Sequence, residues 1–221
     1  NTYAQSVMAV KYFTGSGVET DREKSAYWQA KAANQGNIDS IKETANNYYL
    51  GIGVDKNYET ALEWYQKAAD LNDNESIYEL AKMYDAGEGT DKDQDKAIEL
   101  YTKAAEAGYD EAQNKLAQIY FKGIKGVKKD YQKAFKWASK ASSQGLADAQ
   151  NKMGIFYSSG KHVVEIDMDK AFEWFQKSAD QGSTKAFLNL GAFYAAGTGV
   201  KADSNKAFKW FKKAAEAGDK D

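Results

Sequence analysis

The stretch AFLNLGAFYAAGTGVKADSNKAFKWFKKAAEAG, residues 186–218, decides the fold. It reads as an apolar helical segment, a glycine-containing loop and a second apolar helical segment. The same order of residues recurs along the chain every 36 or 37 positions. All five tryptophans share one slot of this repeat, which holds Trp28, Trp64, Trp137, Trp174 and Trp210, and Leu100 fills the same slot in the third copy. Self-similarity with a period in the mid-thirties is typical of a solenoid, whose units stack on their neighbours.

Two further residue types keep the same period. A tyrosine recurs at Tyr12, Tyr48, Tyr84, Tyr120, Tyr157 and Tyr194. A glycine recurs at Gly15, Gly51, Gly87, Gly123, Gly160 and Gly197. The spacing of the tryptophans and tyrosines is that of the repeat itself, so we interpret both series as core residues. Six copies account for nearly the whole chain, which predicts one all-α domain over residues 1–221. The predicted repeats cover approximately residues 1–36, 37–72, 73–108, 109–145, 146–182 and 183–218.

Within each copy, the pattern predicts a pair of helices. In the fourth copy, Ala112, Leu116 and Tyr120 lie on one helical face, and Gly123 ends that helix. A second helix follows an N-cap, and its inner face holds Ala134, Trp137 and Ala141. The predicted N-caps are Asp21, Asn57, Asp93, Asp130, Asp167 and Asp203. The predicted closing residues are Gly36, Asn72, Gly108, Gly145, Gly182 and Gly218, which tolerate the left-handed conformation.

Composition excludes several classes of protein. The chain has 221 residues, a formal net charge of −2 and no cysteine, so disulfide frameworks, thiolate zinc sites and cysteine nucleophiles are absent. No apolar run approaches the roughly 18 residues that would indicate a membrane-spanning helix. Of the 30 basic residues only Arg22 is an arginine, which disfavours nucleic-acid recognition. Localisation stays open between bacterial periplasm and cytoplasm.

The full pattern resembles the Sel-one-like repeat family, relatives of the tetratricopeptide (TPR) repeats. It reads A-x-x-x-L-[AG]-x-x-Y-x-x-G-x-G-V, then D-x-x-K-A-x-x-W-x-x-K-A-A-x-x-G. The sixth copy matches it at Ala186, Leu190, Gly191, Tyr194, Gly197, Gly199, Val200, Asp203, Lys206, Ala207, Trp210, Lys213, Ala214, Ala215 and Gly218. The resemblance implies a right-handed α-α solenoid of six stacked helix hairpins, a TPR-like superhelix with the first helices lining its concave face. It also implies an adaptor or scaffold that holds other proteins, and several bacterial members neutralise toxic effectors or work in the envelope or in secretion.

Some copies depart from the pattern. Thr44 occupies the slot of Leu116, which weakens that layer of the core unless its hydroxyl finds a backbone partner. The loop of the fourth copy gains a residue across 123–126, and the fifth copy has a longer loop through 161–164. Insertions in such loops leave the stacking intact. These two loops are candidates for specificity.

Candidate catalytic and metal-binding groups are few. His162 is the single histidine, so a loop role is favoured over a metal site. Ser158 and Lys161 match the S-x-x-K motif of β-lactam-reactive enzymes, but the accompanying S-D-N and K-T-G motifs are missing. Asp91, Asp93 and Asp95 begin like a calcium loop, which Lys96 and Thr102 then break. We therefore predict no catalytic residue, no metal and no cofactor, with a cell-wall or β-lactam hydrolase as an unfavoured alternative.

What remains for function is the surface of the first helices. The predicted partner-binding residues are Tyr3, Ser6, Val10, Phe13, Lys42, Asn46, Tyr49, Leu50, Tyr78, Lys82, Asp85, Asn114, Gln118, Phe121, Asn151, Ile155 and Leu188. Aromatic side chains interleaved with polar ones suit a protein interface. An alternative is that some of these residues pack against neighbouring helices.

The sequence thus favours a non-enzymatic module that binds one or more proteins, either a peptide segment or an effector domain, through a concave groove. We expect Tyr49→Ala or Phe121→Ala to weaken binding. An immunity protein that holds a toxic effector tightly in a 1:1 complex is the alternative. Self-association is also open, and binding of nucleic acid or insertion into a membrane is not expected.

Overall fold

The computed structural model describes residues 1–218, and their regular structure is helical. Twelve helices lie in these residues and form six consecutive pairs, one in each predicted repeat. The pairs are α1 (Thr2–Thr14) with α2 (Arg22–Ala33), α3 (Ile38–Leu50) with α4 (Tyr58–Asp70), α5 (Asn74–Ala86) with α6 (Gln94–Glu106), α7 (Asp110–Lys122) with α8 (Tyr131–Ser143), α9 (Ala147–Ser159) with α10 (Met168–Asp180), and α11 (Thr184–Ala196) with α12 (Ser204–Gly218).

The predicted signals for helix ends are confirmed, except at Gly218. The side chains of all six predicted N-cap residues accept a hydrogen bond from the backbone N–H three residues later, at 2.9 Å in every case. Asn72 has φ 61°, so asparagine does replace glycine in the left-handed conformation. Gly218 differs from the other closing glycines, because it is the last residue of α12 itself.

The helix pairs belong to two compact units. The first unit comprises α1–α6, residues 1–109, and the second comprises α7–α12, from residue 110 onward. Within each unit, the two helices of a pair pack on each other, and the second helix of a pair packs on the first helix of the next. Contacts therefore run between neighbours, as in a TPR-like solenoid.

Small residues permit this close packing. Two consecutive alanines recur near the end of the second helix of several repeats. Ala68 and Ala104 are completely buried, and their neighbours Ala69 and Ala105 are also buried. Leu80, Leu116 and Leu190 fill the layers between helices. In the second copy, the Thr44 hydroxyl donates to the carbonyl oxygen of Ser40 at 2.7 Å. That hydrogen bond satisfies the buried hydroxyl, so the polar substitution is tolerated.

The repeated aromatic residues are less buried than a core interpretation predicts. Trp137 is buried, but the other four tryptophans and all six repeated tyrosines are half-buried. Lysines cover several of the exposed ring faces. The lysine three residues after a tryptophan lies over its ring in four repeats, with Nζ 3.7 Å from the ring centroid for Lys67 on Trp64 and 4.4 Å for Lys177 on Trp174. The repeat's lysines therefore contribute cation–π contacts as well as surface charge.

The second glycine of the G-x-G loops lets two backbones meet. A Cβ placed on Gly89 would lie 2.4 Å from the carbonyl oxygen of Tyr58, which belongs to the second helix of the preceding pair. Gly53 and Gly199 approach Arg22 and Met168 in the same way. All three glycines have positive φ. Each loop therefore packs directly against the backbone of the preceding helix pair, and this contact fixes how neighbouring pairs stack.

Candidate functional site

The first helix of the chain presents an apolar surface. Tyr3, Val10 and Phe13 of α1 are exposed by 77%, 59% and 46%. The guanidinium carbon of Arg22 lies 3.6 Å from the centroid of the Phe13 ring. Ser6 is half-buried, and its hydroxyl lies 3.2 Å from that of Ser40. Of the four residues predicted on α1, the exposed Tyr3, Val10 and Phe13 are therefore available for contact with a partner.

Val10 and Phe13 form one wall of a cleft, which we call the α1–α3 cleft. It has a volume of about 330 Å³. Its lining residues are Ala9, Val10, Phe13, Ser25, Gln29, Glu43 and Asn47. The cleft offers apolar side chains flanked by a carboxylate and two amides, which are features of a binding surface.

A second cleft, the α3–α5 cleft, is polar and has a volume of about 180 Å³. Its lining residues are Asp39, Lys42, Glu43, Asn46, Tyr65, Glu75, Ser76 and Glu79. Two of the predicted binding residues, Lys42 and Asn46, lie here. The Lys42 ammonium is 3.1 Å from Glu75 and 3.5 Å from Asp73. Burial by itself lowers the pKa of Lys42, but these two carboxylates more than offset it and the pKa is raised.

Other predicted residues of the first unit are engaged within the protein. The Tyr49 hydroxyl donates to Glu88 at 2.9 Å, and its ring centroid lies 5.2 Å from that of Tyr58. Burial, reinforced by Glu88, raises the pKa of Tyr49 to about 12, so its hydroxyl stays protonated and donates. Leu50, next in the chain, is exposed by 59%. Leu50 is therefore a cleaner probe of binding than Tyr49, whose truncation also removes internal contacts.

The predicted residues of α5 are likewise held in place. The Tyr78 ring packs 5.6 Å from Tyr101 and 5.3 Å from Tyr109. Lys82 pairs with Glu79 at 2.7 Å, and Asp85 accepts a hydrogen bond from Gln94 at 2.8 Å. All three predicted residues are half-buried, so each presents part of its surface to solvent. Their internal contacts fix their orientation.

In the second unit, most of the predicted residues pack internally. Asn151 is 4% exposed and accepts a hydrogen bond from the Asn189 amide at 2.8 Å, so its position is structural. Phe121 is half-buried, and its ring centroid lies 5.5 Å from that of Phe156. Ile155 packs on the cluster around Leu190. Gln118 is half-buried, and Leu188 is the most accessible of the set at 49%.

A partly buried lysine lies among these residues. Lys152 donates to Asn114 at 2.8 Å. Burial lowers the pKa of Lys152 to about 8, with a further contribution from Lys185 and Lys122. Lys152 was not predicted as a site residue, and neither were Glu43 and Glu79 of the first unit. A signal for the two glutamates was present in the sequence, because they lie 36 residues apart in the same repeat slot.

The candidate catalytic motif is not assembled. The Ser158 hydroxyl donates to the carbonyl oxygen of Ile155 at 3.1 Å, and the Lys161 ammonium lies 5.6 Å from the centroid of the Tyr131 ring. His162 is exposed in the loop that follows α9. Within residues 1–218, no three histidine, cysteine or acidic side chains are placed to hold a metal ion. The same residues contain no helix long and apolar enough to cross a bilayer.

Comparison with known proteins identifies the repeat. The Sel1 repeat family matches residues 2–37, 43–73, 74–109, 110–146, 147–183 and 185–219. The crystal structure of a Sel1 repeat protein from Oxalobacter formigenes has 33% sequence identity and a TM-score of 0.86, over 99% of this chain and 62% of that one. The structure of c5321, a protective antigen with an SLR fold from uropathogenic Escherichia coli, has 33% identity and a TM-score of 0.59, over 98% of this chain and 54% of that one.

The chain thus spans less than two thirds of each of these relatives. The immunity protein Pa5087 from Pseudomonas aeruginosa shares the fold at 23% identity, with a TM-score of 0.58 over 98% of this chain and 81% of that one. No curated protein sequence matches the chain significantly.

Proposed function

The chain belongs to the Sel1 repeat family, and from that membership we propose that it is a non-enzymatic module that binds a protein partner through its first helices. The observation that carries the proposal is the exposed apolar surface on α1 and α3. Val10 and Leu50 are each exposed by 59%, and the polar α3–α5 cleft lies among the same set of helices. Apolar anchors beside fixed polar groups are the usual composition of a protein interface.

The internal contacts support the same proposal. Tyr49, Lys82 and Asp85 are already held by Glu88, Glu79 and Gln94. Side chains that are ordered before binding lose little conformational entropy when a partner docks. The first-helix surface of the first unit is therefore preorganised. In the second unit, Leu188 offers an exposed apolar contact.

The test begins with capture of partners from an extract of the native cells, followed by calorimetry with each purified partner. The test variant combines Val10→Ser and Leu50→Ser on the first helices. The control combines Leu71→Ser and Ile166→Ser, which are comparably exposed, at 48% and 61%, but lie outside the first helices. We expect the test variant to weaken binding at least tenfold, as loss of apolar anchors does. Equal affinities of the two variants would contradict binding through this surface.

A narrower proposal is neutralisation of a toxic effector. Its support is the fold that this chain shares with the immunity protein Pa5087, at 23% identity. The identity of the captured protein distinguishes neutralisation from a scaffold role. One stoichiometric partner that is toxic when expressed alone, and harmless when expressed with this chain, supports neutralisation. Several non-toxic partners support a scaffold.

A further inference from the structure

The α3–α5 cleft has an excess of negative charge. Its lining residues provide four carboxylates, Asp39, Glu43, Glu75 and Glu79, against the single ammonium of Lys42, which leaves a formal charge of −3. Two charged groups outside the lining pair with it, Asp73 with Lys42 at 3.5 Å and Lys82 with Glu79 at 2.7 Å. Their opposite charges cancel, so the excess of negative charge around the cleft remains. Within the described residues, Glu43 forms no salt bridge. A positively charged group is therefore the complementary occupant.

Ser76 supplies a second and independent observation. It lines the cleft and is completely buried, and its hydroxyl has no hydrogen-bond partner. The serine one repeat earlier, Ser40, has the Ser6 hydroxyl at 3.2 Å. A buried hydroxyl without a partner is costly and rare in folded proteins. A donor group in the cleft would satisfy the Ser76 oxygen.

The chemistry of the lining selects an organic cation. The carboxylates are not placed to hold a metal ion, at least among the residues the structure describes. At the base of the cleft, the Tyr65 hydroxyl donates to the Asn46 side-chain oxygen. Burial raises the pKa of Tyr65, so its hydroxyl adds no charge of its own. The acceptors left for an incoming group are carboxylate oxygens and the Ser76 hydroxyl.

We propose that the α3–α5 cleft binds an arginine side chain of the protein partner. A guanidinium carries five N–H donors in a planar fork, which suits several carboxylates and one hydroxyl better than the compact ammonium of lysine. The cleft therefore sets specificity, while the exposed apolar residues provide contact area. This inference rests on the proposed function, since it names the chemistry of the partner.

The first experiment does not require the partner. The ¹⁵N-labelled protein is titrated with acetyl-Gly-Arg-Gly-amide, and separately with the citrulline peptide, which has nearly the same shape but no charge. We expect saturable amide shifts from the arginine peptide near Asn46, Ser76 and Glu79, and none from the citrulline peptide. Equal shifts from both peptides, or shifts confined to other helices, would overturn the proposal.

Matched variants then test the cleft itself. Glu43→Gln combined with Glu79→Gln removes two lining charges. Glu59→Gln combined with Glu63→Gln removes two exposed charges from α4, outside the cleft. We expect the first pair to weaken binding of the arginine peptide at least tenfold and the second pair to leave it unchanged. Equal weakening by both pairs would show general electrostatic attraction and refute a specific site.

The two proposals can fail separately. If a captured partner depends on Val10 and Leu50 but neither the partner nor the arginine peptide responds to the cleft variants, the arginine site is refuted and the binding function stands. If the arginine peptide occupies the cleft but no partner depends on Val10 and Leu50, binding through the exposed apolar surface is refuted.

Discussion

Replacement of Gly89 by alanine should destabilise the first unit strongly, and the structure separates two causes. Gly89 has φ 70°, a left-handed conformation that costs a residue with a Cβ about 1–2 kcal/mol. In addition, the new Cβ would lie 2.4 Å from the carbonyl oxygen of Tyr58 and 2.8 Å from the amide nitrogen of Glu59. Favourable contacts of carbon begin at about 3.5 Å, so the loop must move by about 1 Å.

This displacement sets the expected magnitude. Overpacking of a well-packed site costs about 1–3 kcal/mol, and a backbone neighbour cannot rotate away, which places Gly89→Ala near the upper end. Together with the conformational cost, we expect a loss of about 4 kcal/mol. At about 2–4 °C per kcal/mol for a chain of this size, the melting temperature should fall by about 8–16 °C.

Two control variants isolate the steric part. Gly17 occupies the same loop slot in the first repeat with φ 80°, and Gly182 in the second unit has φ 86°, and at neither position would a new Cβ have a heavy atom within 4 Å. Their alanine variants should lose about 1–2 kcal/mol, the conformational cost alone. Urea denaturation of each variant, followed by circular dichroism, measures the difference in free energy of unfolding. If Gly89→Ala is no worse than Gly17→Ala, the close approach of the two backbones does not hold the loop in place.

Three further predictions concern polar groups. Ser76→Ala should raise the free energy of unfolding by about 1 kcal/mol, because it removes a buried hydroxyl without a partner. Alanine already fills the same repeat slot at Ala112. A lower free energy of unfolding in a urea titration would show that the hydroxyl is satisfied. Lys152→Met should raise stability at pH 7 by on the order of 2 kcal/mol, because burial lowers the pKa of Lys152 to about 8. Between pH 8 and about 10.5 the unfolded chain binds a proton that the folded protein lacks, so wild-type stability rises with pH and the advantage of the variant should shrink; a constant advantage in melts across that range would contradict the assigned pKa. Asp167→Ala should lower the melting temperature at neutral pH, because the Lys170 backbone N–H and then its side chain lower the pKa of Asp167. The carboxylate stabilises the folded state above its unfolded pKa of about 3.9, so the difference should fade as the pH drops through the lower folded value, and a difference that persists in strong acid would point to packing instead.

Much of the local structure could be predicted because its causes are local. A helix N-cap depends on one side chain and a backbone N–H three residues away, so Asp93 and Asp130 were identifiable from spacing alone. The helix pairs followed from apolar periodicity, and the left-handed residue at Asn72 followed from its slot. The period of 36 or 37 indicated a solenoid, and the residue pattern within each repeat indicated the family.

The candidate site was less predictable, because exposure depends on neighbours that are distant in sequence. Ser6 and Asn151 occupy the same slot of the repeat, yet Ser6 is half-buried and Asn151 is only 4% exposed. The difference for Asn151 comes in part from Asn189, which lies on the next first helix and donates to it. No pattern within one helix contains that information.

The sequence by itself therefore determined the repeat, the helix boundaries and the Sel1 family, since each depends on residue identity at fixed spacing. The tertiary structure decided which repeated positions face solvent, which lysines lie over tryptophan rings, and that Ser76 and four carboxylates share one cleft. Those facts arise when α3, α4 and α5 are packed together, and packing places side chains from different repeats within hydrogen-bonding distance. The proposed binding surface thus depends on how the helices stack, whereas the fold of each helix pair can be inferred from the sequence of the repeat.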